Sequence, residues 1–485
     1  MKPSVLVAVY CIVGSACVHS PPSINGVPSA PASPSSLWRP PTSVASEAAR
    51  DASQVTLTPT AVRQLTLPEV VDLALRNSPA TRLSWTQARA AADAYGSTEG
   101  RLYPTLSAGL SVNHSLSLAT PGRPPIERSQ YGPSLTLAYT VLDFGGRSGS
   151  IDVTRQTAMA LDLSHNATVE NTILQVEAAA FGYLSTRAQL AGQRSAVELA
   201  TAALDAASER HRVGLATIAD VLQAQTARSQ AQLDLETLEG GLQVARGSLA
   251  VAMGVPANSP FDIPEVPATD SVHFVAESVD SLIELAVRNR PELASARAQA
   301  AAASSQIRVA RSGYLPALAI GATGASNGSN VSTFSGRTYS VNVGVQMPVF
   351  TGFSNQYDVA AASEQYQSAL ARAETTKQQI IQQVFTAYYT LRTSTNRVRT
   401  ATDLLASAIQ SETVARERYR EGVGSIVDLL VAQSALANAR AQSVDARWQW
   451  RTSLAQLAHD VGVLNARGDT SFSPLTPLPD IRPSR

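Results

Sequence analysis

The sequence predicts a mixed α+β membrane protein, in which four strands contribute to a shared transmembrane β-barrel and long antiparallel helices continue it as a coiled-coil barrel. Three features predict this: an internal repeat, four segments of alternating hydrophobicity, and two long proline-free windows. The phrases "RHRVGLATIADVLQAQ" (210–225) and "RYREGVGSIVDLLVAQ" (418–433) agree at eight of sixteen positions, 208 residues apart. A self-match at a fixed spacing indicates a tandem duplication, which here extends over about 67–462.

Composition argues against several classes of function. The 485 residues include 38 Lys+Arg and 38 Asp+Glu, so no net positive charge points to nucleic acid. No two of the six histidines are closer than 46 positions, which excludes a local metal-ligand pair. "GASNG" (324–328) has the G-x-S-x-G pattern of a nucleophile, but no helix follows it as that motif requires. We therefore expect neither an enzyme nor a cofactor or metal site.

The N-terminus has the features of a secretory signal. Lys2 precedes an apolar run over 5–13, and "GSAC" ends at Cys17. Small residues before a cysteine resemble a lipoprotein cleavage site, so we expect 1–17 to be a signal peptide and Cys17 to become the acylated N-terminus. Ordinary cleavage slightly further on is the alternative. The segment 18–62 is rich in Pro, Ser and Ala and predicts a disordered tether.

Four segments alternate with a period of two. The strands are predicted at about 104–118, 133–143, 316–325 and 338–350. Each has one apolar face and one face of small polar residues, which is typical of strands between lipid and water. A soluble sandwich is the alternative, but four strands without covering elements argue against it. Since about eight strands are needed to close a barrel and open edges are not tolerated in lipid, the chain is expected to oligomerise.

The remaining repeat is predicted to be helical. No proline occurs between Pro133 and Pro256 or between Pro348 and Pro474, and apolar residues recur there at helical spacing. The predicted helices are long ones at 148–212 and 354–420, return helices at 218–254 and 426–462, and half-length helices at 67–101 and 279–311. A helix of 65 residues is about 100 Å long. We expect 279–311 to continue the return of 218–254, and 67–101 to continue that of 426–462.

These elements define the predicted organisation of the chain. The first repeat covers 67–278 and the second covers 279–462. The tip turns lie at 212–217 and 421–425. An equatorial segment at 256–278 lies midway along the helices, and a C-terminal equatorial tail covers 463–485.

The pattern resembles the bacterial outer-membrane efflux factors, the TolC-like channels. The matching segments are "LPEVVDLALRNSP" (67–79), "VLDFGGR" (141–147), "MPVFTGF" (347–353) and the doubled phrase. The resemblance implies a homotrimer with twelve strands in the outer membrane, a periplasmic helical tunnel, and docking to a periplasmic adaptor (membrane fusion protein) and an inner-membrane pump. It implies a passive exit duct for drugs, metals or other small molecules. The outer-membrane component of type I protein secretion and a periplasmic coiled-coil structural protein are the alternatives.

The resemblance also assigns roles at the tip turns. Turns of this type form the groove that receives the adaptor, which here comprises Val213, Gly214, Leu215, Ala216, Gly422, Val423, Gly424 and Ser425. Glycine suits such a fold-back because it takes positive φ at little cost.

Two carboxylates beyond the turns, Asp220 and Asp428, are expected to line the pore entrance. The alternative is that each merely favours the dipole at a helix start. Some relatives close the tip with an arginine on the second turn, but Gly424 occupies that position here. Tyr419, Arg418 and Arg420 are the expected substitutes in the gate, with Asp220 as the acceptor.

Overall fold

The computed structural model of the chain describes residues 23–24, 27–28, 65–118, 125–264 and 278–464. The chain divides into two units, Met1–Arg63 with Asn258–Phe261, and Gln64–Ala257 with Asp262–Arg485. In the first unit, Ser23–Ile24 and Val27–Pro28 form a minimal antiparallel pair within the predicted disordered tether. The predicted signal peptide, most of the tether, and the greater part of the equatorial segment and tail lie outside the described residues.

The second unit contains one series of helices and strands twice in the same order. The elements are α1 (Leu67–Asn77), α2 (Pro79–Glu99), β1 (Thr105–Ser117), β2 (Ile126–Leu142), α3 (Gly146–Arg212), α4 (Ile218–Ala252), α5 (Val279–Asn289), α6 (Pro291–Ser312), β3 (Ala317–Ser329), β4 (Gly336–Gln346), α7 (Ser354–Arg420) and α8 (Ile426–Val461). Helices α3 and α7 each have 67 residues, or about 100 Å at 1.5 Å per residue. Within the described ranges, no helix has the combined length and hydrophobicity needed to cross a membrane.

Each predicted half-length helix is two helices instead of one. The breaks fall at Ser78 (φ −60°, ψ 123°) and Arg290 (φ −63°, ψ 119°), where the backbone is extended. Pro79 and Pro291 follow directly. Proline disfavours a helical conformation of the residue before it and fits the first position of the next helix. The single helices expected at 67–101 and 279–311 are therefore wrong, because a proline in each restarts the helix.

The four strands form one antiparallel sheet in the order β1-β2-β3-β4. Strand β2 begins at Ile126, seven residues before the predicted start, and runs through Pro133. Pro133 pairs with Leu110 of β1, whereas pairing with β3 is interrupted at Gly132 and Pro133. A proline can lie within a strand where its missing N–H would not have served the ladder. Strand β3 also extends beyond its predicted end, and β4 spans 336–346 instead of 338–350.

The helices pack side by side around the two long ones. Helix α3 contacts α2, α4, α6 and α8, and α7 contacts α5, α6 and α8. Helix α4 is followed by Gly254 (φ 71°), where a Cβ atom would lie 2.9 Å from Asn77; α8 is followed by Gly462 (φ 76°), where a Cβ would lie 3.1 Å from Asn289. Helix α4 therefore meets the α1–α2 joint and α8 the α5–α6 joint. The prediction that 279–311 continues α4 and that 67–101 continues α8 was therefore wrong. Helix lengths alone do not show which half-length helix continues which return helix.

Candidate functional site

The candidate site consists of the two turns that join α3 to α4 and α7 to α8. In the first turn, Gly214 has a φ of 79°. Leu215 N donates to the Arg210 carbonyl at 2.8 Å, and Gly214 N donates to the His211 carbonyl at 3.0 Å. The turn at Gly422 (φ 81°) repeats both bonds, at 2.9 and 3.1 Å. This is the Schellman motif, in which glycine adopts the left-handed conformation without a steric penalty.

Both return helices begin with a capping box. Thr217 N donates to Asp220 Oδ2 at 2.8 Å, and Asp220 N donates back to Thr217 Oγ1 at 3.3 Å. Ser425 N and Asp428 Oδ2 (3.4 Å) and Asp428 N and Ser425 Oγ (3.1 Å) make the equivalent pair. Each carboxylate also lies in the first turn of its helix, where the dipole favours negative charge. Asp220 and Asp428 thus occupy the helix-start positions that the sequence offered as the alternative to a pore role.

A small apolar core lies next to the turns, between the ends of the helices that they join. Its buried members come from α3, α4, α7 and α8: Ala203, Ala207, Ala224, Tyr419, Ile426 and Leu429. Tyr419 is only 7% exposed, and its buried hydroxyl has no hydrogen-bond partner among the described residues. Within one chain, this tyrosine therefore contributes through its ring and its carbonyl oxygen.

Arg210 connects the first turn to the second. Its Nη1 atom donates to the carbonyl oxygen of Tyr419 at 2.5 Å. Its guanidinium carbon lies 4.7 Å from the centroid of the Tyr419 ring, within the range of a cation–π contact. Since the carbonyls at a helix C-terminus carry partial negative charge, a cation at the end of α7 is also favourable. One side chain thus ties the end of α3 to the end of α7.

The other charged side chains near the turns make different contacts. Arg420 Nη2 lies 3.0 Å from Glu417 and 3.4 Å from Glu421, all near the end of α7. Arg418 is exposed and lines a groove of about 640 Å³ that also borders Gly424 and Asp428. Within a single chain Asp220 bonds to Thr217, and the described residues form no bond between Asp220 and the Arg418–Arg420 segment.

The first turn carries a local ion pair and exposed apolar side chains. Arg212 bonds to Glu209, and this hydrogen bond holds the pKa of the Glu209 carboxyl below its usual range. Val213, Leu215 and Val423, three of the expected docking residues, are exposed at the turns. Across residues 65–118, 125–264 and 278–464, no group of three His, Cys, Asp or Glu side chains is arranged to hold a metal ion.

The family model described as "outer membrane efflux protein" matches residues 70–255 and 282–463. The chain belongs to this family. The predicted resemblance to TolC-like efflux factors is confirmed, and the two matched segments correspond to the two occurrences of the element series. The family consists of outer-membrane transport proteins.

Named relatives match over most of their length. Protein CyaE of Bordetella pertussis is 28% identical over 398 residues, covering 81% of this chain and 83% of the relative. The pyoverdine export outer membrane protein OpmQ of Pseudomonas aeruginosa is 26% identical, covering 94% and 95%. Among solved structures, the outer membrane protein VceC from Vibrio cholerae matches with a TM-score of 0.73 at 18% identity, covering 82% of this chain and 96% of that one. The last similarity concerns the fold alone.

Arg210 is the residue of this efflux-family tip that sequence reasoning missed. The doubled phrase begins with it, and an arginine stands at the same place in both copies, Arg210 and Arg418. The shared arginine was the signal that the sequence offered, but a repeated residue does not indicate which carbonyl its guanidinium binds. The expected lipidation residue, Cys17, lies outside the described residues.

Proposed function

We propose that this chain forms, as a homotrimer, the outer-membrane exit duct of a tripartite efflux system. The observation that carries the proposal is the match of the efflux family model to both halves of the chain, residues 70–255 and 282–463. In this role the protein is a passive conduit, and the energy comes from an inner-membrane pump that reaches it through a periplasmic adaptor.

The sheet supports a shared barrel. Strands β1 and β4 carry apolar side chains that are exposed in the single chain, for example Leu110 (79%) and Val343 (67%). Strands β1 and β4 lie at the two edges of the described sheet, each with a neighbour on one side. Three copies would supply twelve strands, more than the roughly eight that a barrel needs. Closure would remove the open edges that lipid does not tolerate.

The helices support a tunnel that continues the barrel into the periplasm. Helices α3 and α7 follow β2 and β4 directly, so the wall of helices begins where the sheet ends. The turns at the far end of these helices present Val213, Leu215 and Val423 to solvent. Exposed apolar side chains on a rigid turn are suited to bind another protein, and we assign the tip, with Ala216, Gly424 and Ser425, to the adaptor.

The pore entrance is assigned to the carboxylates that begin α4 and α8. Asp428 is exposed beside the groove of Arg418, and three copies would bring a ring of such groups together. A carboxylate ring favours cations. Reversal potentials in planar bilayers test this role, since Asp428→Asn should raise relative anion permeability. Unchanged selectivity would leave Asp428 with its capping role alone.

The N-terminus is assigned a lipid anchor at Cys17, on the strength of "GSAC" after the apolar run. Mass spectrometry of the mature protein would detect the acyl groups, and an unmodified chain beginning beyond residue 17 would overturn the assignment. We propose small molecules as the exported class, with export of an unfolded protein as the competing outcome.

Deletion of the gene and co-purification test the proposed function. The deletion strain should accumulate dyes or metal ions that the parent exports, and the wild-type chain should restore export. The adaptor and pump should co-purify with the chain from detergent-solubilised membranes. Loss of a secreted protein, with unchanged small-molecule efflux, would instead favour type I secretion.

A further inference from the structure

The four strands divide their side chains between two faces that differ in charge. Successive side chains of a strand lie on opposite faces, and residues paired in register share a face. The face that includes Leu110 is the one assigned to lipid. On the other face, one row of paired residues crosses all four strands: Thr105, Ala138, Gly321 and Asn342. In a closed barrel whose apolar face meets lipid, this second face lines the lumen.

Within the four described strands, the lumen face carries a single charged residue, Arg128 of β2. This arginine pairs with Ser115 of β1 and is half-buried in the single chain. The other members of the lumen face are uncharged, and most of them are Ser, Thr, Gly, Ala, Asn or Gln. A solute that passes between these strands therefore meets a neutral wall and one arginine from each chain.

The titratable residues of the apolar face indicate the level of Arg128 in the membrane. They are His114, Glu127 and Arg337, and each lies within four residues of a strand end that leads into the β1–β2 or β3–β4 loop. An arginine on the lipid face costs about 2–4 kcal/mol at the bilayer midplane and about 0–1 kcal/mol near the interfaces. The loop end of the sheet therefore lies at the membrane surface. Arg128, the third residue of β2, lies at this end, and α3 and α7 continue from the other.

The backbone on both sides of Arg128 is held by Asn330, which follows the end of β3. Ser129 N donates to Asn330 Oδ1 at 2.8 Å, and Asn330 Nδ2 donates to the Glu127 carbonyl at 3.3 Å. The Glu127 carboxylate belongs to the opposite face, where it lies 3.4 Å from His114 Nε2. Arg128 therefore has a fixed backbone position on the lumen face, and the acidic residue beside it in the sequence lies on the other side of the sheet.

We propose that Arg128 forms, in three copies, a cationic ring at the external mouth of the duct, which binds the carboxylate or phosphate groups of solutes as they leave. The inference rests on the proposed trimeric duct and deepens it by assigning a site at the exit. Guanidinium groups match carboxylate and phosphate geometry with paired hydrogen bonds, and rings of arginine select anions in pores. The lumen face offers an anionic group no other cation within the four strands. The exit thus favours anions, whereas the entrance assigned to Asp428 favours cations.

Block of the channel by citrate, a trivalent anion, tests the ring in planar bilayers. The full chain is added to one chamber, so that the helical part stays on that side and the loop end of the sheet faces the other chamber. Salt is kept low, since at 0.1 M ionic strength charges are screened beyond about 10 Å. Citrate in the loop-side chamber should reduce the current at a severalfold lower concentration than citrate in the helix-side chamber. Arg128→Gln should remove this difference, and Arg128→Lys should retain most of it.

Arg337→Gln is the matched control, because Arg337 lies at the same end of the sheet on the opposite face. Its citrate block should equal that of the unsubstituted chain. Loop-side block that is unchanged in Arg128→Gln, or weakened equally in Arg337→Gln, would overturn the inference and leave the channel intact. If the unsubstituted chain formed no channels and had a monomeric mass by light scattering, the proposed function would be overturned as well.

A second variant tests the charge of the ring in channels that have already assembled. Arg128→Cys channels are treated from the loop side with a cationic or an anionic methanethiosulfonate reagent, beside the unsubstituted chain, which accounts for Cys11 and Cys17. The cationic adduct should restore citrate block from the loop side, and the anionic adduct should abolish what remains of it. Because both reagents modify the same sulfur atom, equal citrate block after the two treatments would exclude a role for charge at this position.

Discussion

The joints between the short helices share a backbone conformation and differ in chemistry. Ser78–Pro79 separates α1 from α2, and Arg290–Pro291 separates α5 from α6, with nearly identical dihedral angles at Ser78 and Arg290. The first joint uses local, neutral bonds. Thr81 N donates to Ser78 Oγ at 3.4 Å, and Thr81 Oγ1 donates to the Ser78 carbonyl at 3.0 Å.

The second joint uses a buried charge. The Arg290 side chain is 5% exposed and bonds to Glu292 (2.9 and 3.0 Å), Asp460 (3.3 Å) and Gln383 (3.2 Å). These partners lie on α6, α8 and α7, so one guanidinium holds three helices. A buried ion has lost its hydration and depends on each of its partners. One backbone break can therefore be stabilised locally or by long-range charge, and the second solution is more sensitive to a single substitution.

The largest expected effect is that of Arg290→Ala. The substitution leaves Glu292 and Asp460 without their cation, and breaking a buried pair costs about 3–5 kcal/mol. Urea unfolding in detergent, followed by far-UV circular dichroism, measures the change in free energy. Arg288→Ala is the control, because Arg288 forms an exposed pair with Glu284 worth about 0–1 kcal/mol. Equal losses in the two variants would contradict the difference between the joints.

The next effect concerns Glu170 of α3, which interacts electrostatically with the charged joint. Burial and the negative charge of Glu292 raise the pKa of Glu170 to about 7, and Arg290 opposes them. The folded protein therefore binds a proton that the unfolded chain releases above its ordinary value of 4.5. Stability falls as pH rises from that value through about 7.

Glu170→Gln should remove this pH dependence. The expected gain in the free energy of unfolding is up to about 3 kcal/mol at a pH one unit above the folded-state value. Below the unfolded value both forms are neutral, and little change is expected. Urea unfolding across this pH range measures the gain, with the exposed Glu198→Gln as the control. A gain that is independent of pH would show that side-chain shape, and not ionisation, is responsible.

The hydrophobic periodicity and the positions of proline and glycine predicted most of the architecture. The proline-free windows predicted α3 and α7, and the repeated glycines predicted the positive φ at Gly214 and Gly422. The predicted start of β2 at Pro133 was too late. A proline fits inside this strand because pairing with β3 is interrupted there, and a single sequence does not display that interruption. The prolines that end "RNSP" (76–79) and "RNRP" (288–291) are the residues in the sequence that indicate both joints.

Contacts between distant segments could not be predicted. The carbonyl bond of Arg210 depends on where α3 and α7 end relative to each other, and Asp460 reaches Arg290 across 170 residues of sequence. Local patterns report the capping roles of Asp220 and Asp428, since T-x-x-D and S-x-x-D precede helices in the sequence. The pore assignment needs the arrangement of several chains and stays a prediction.

The two tip turns, at Gly214 and Gly422, test the same contrast between local and long-range support, and we expect smaller changes in the free energy of unfolding there. Gly214→Ala and Gly422→Ala each force a left-handed conformation on an L-residue, at about 1–2 kcal/mol. A Cβ atom at Gly422 would also lie 3.1 Å from Arg210 Nη2, whereas nothing lies within 4 Å of one at Gly214. We expect Gly422→Ala to lower the free energy of urea unfolding more. In an Arg210→Ala background the two losses should become equal, and a persisting difference would exclude Arg210 as its cause.

The smallest effect is expected from Ser78→Ala at the first joint. Loss of an N-terminal cap costs about 0.5–2 kcal/mol, and the 3.4 Å length of the bond to Thr81 N places Ser78 at the lower end. The Thr81 hydroxyl keeps its bonds to the carbonyls of Leu75 and Ser78 in the variant, so the break before Pro79 retains support. Thr81→Val removes that support, and the double variant should lose more than the sum of the two. Urea unfolding gives all three values. If Ser78→Ala alone destabilised the protein as much as Arg290→Ala, the neutral joint would be no more tolerant than the charged one.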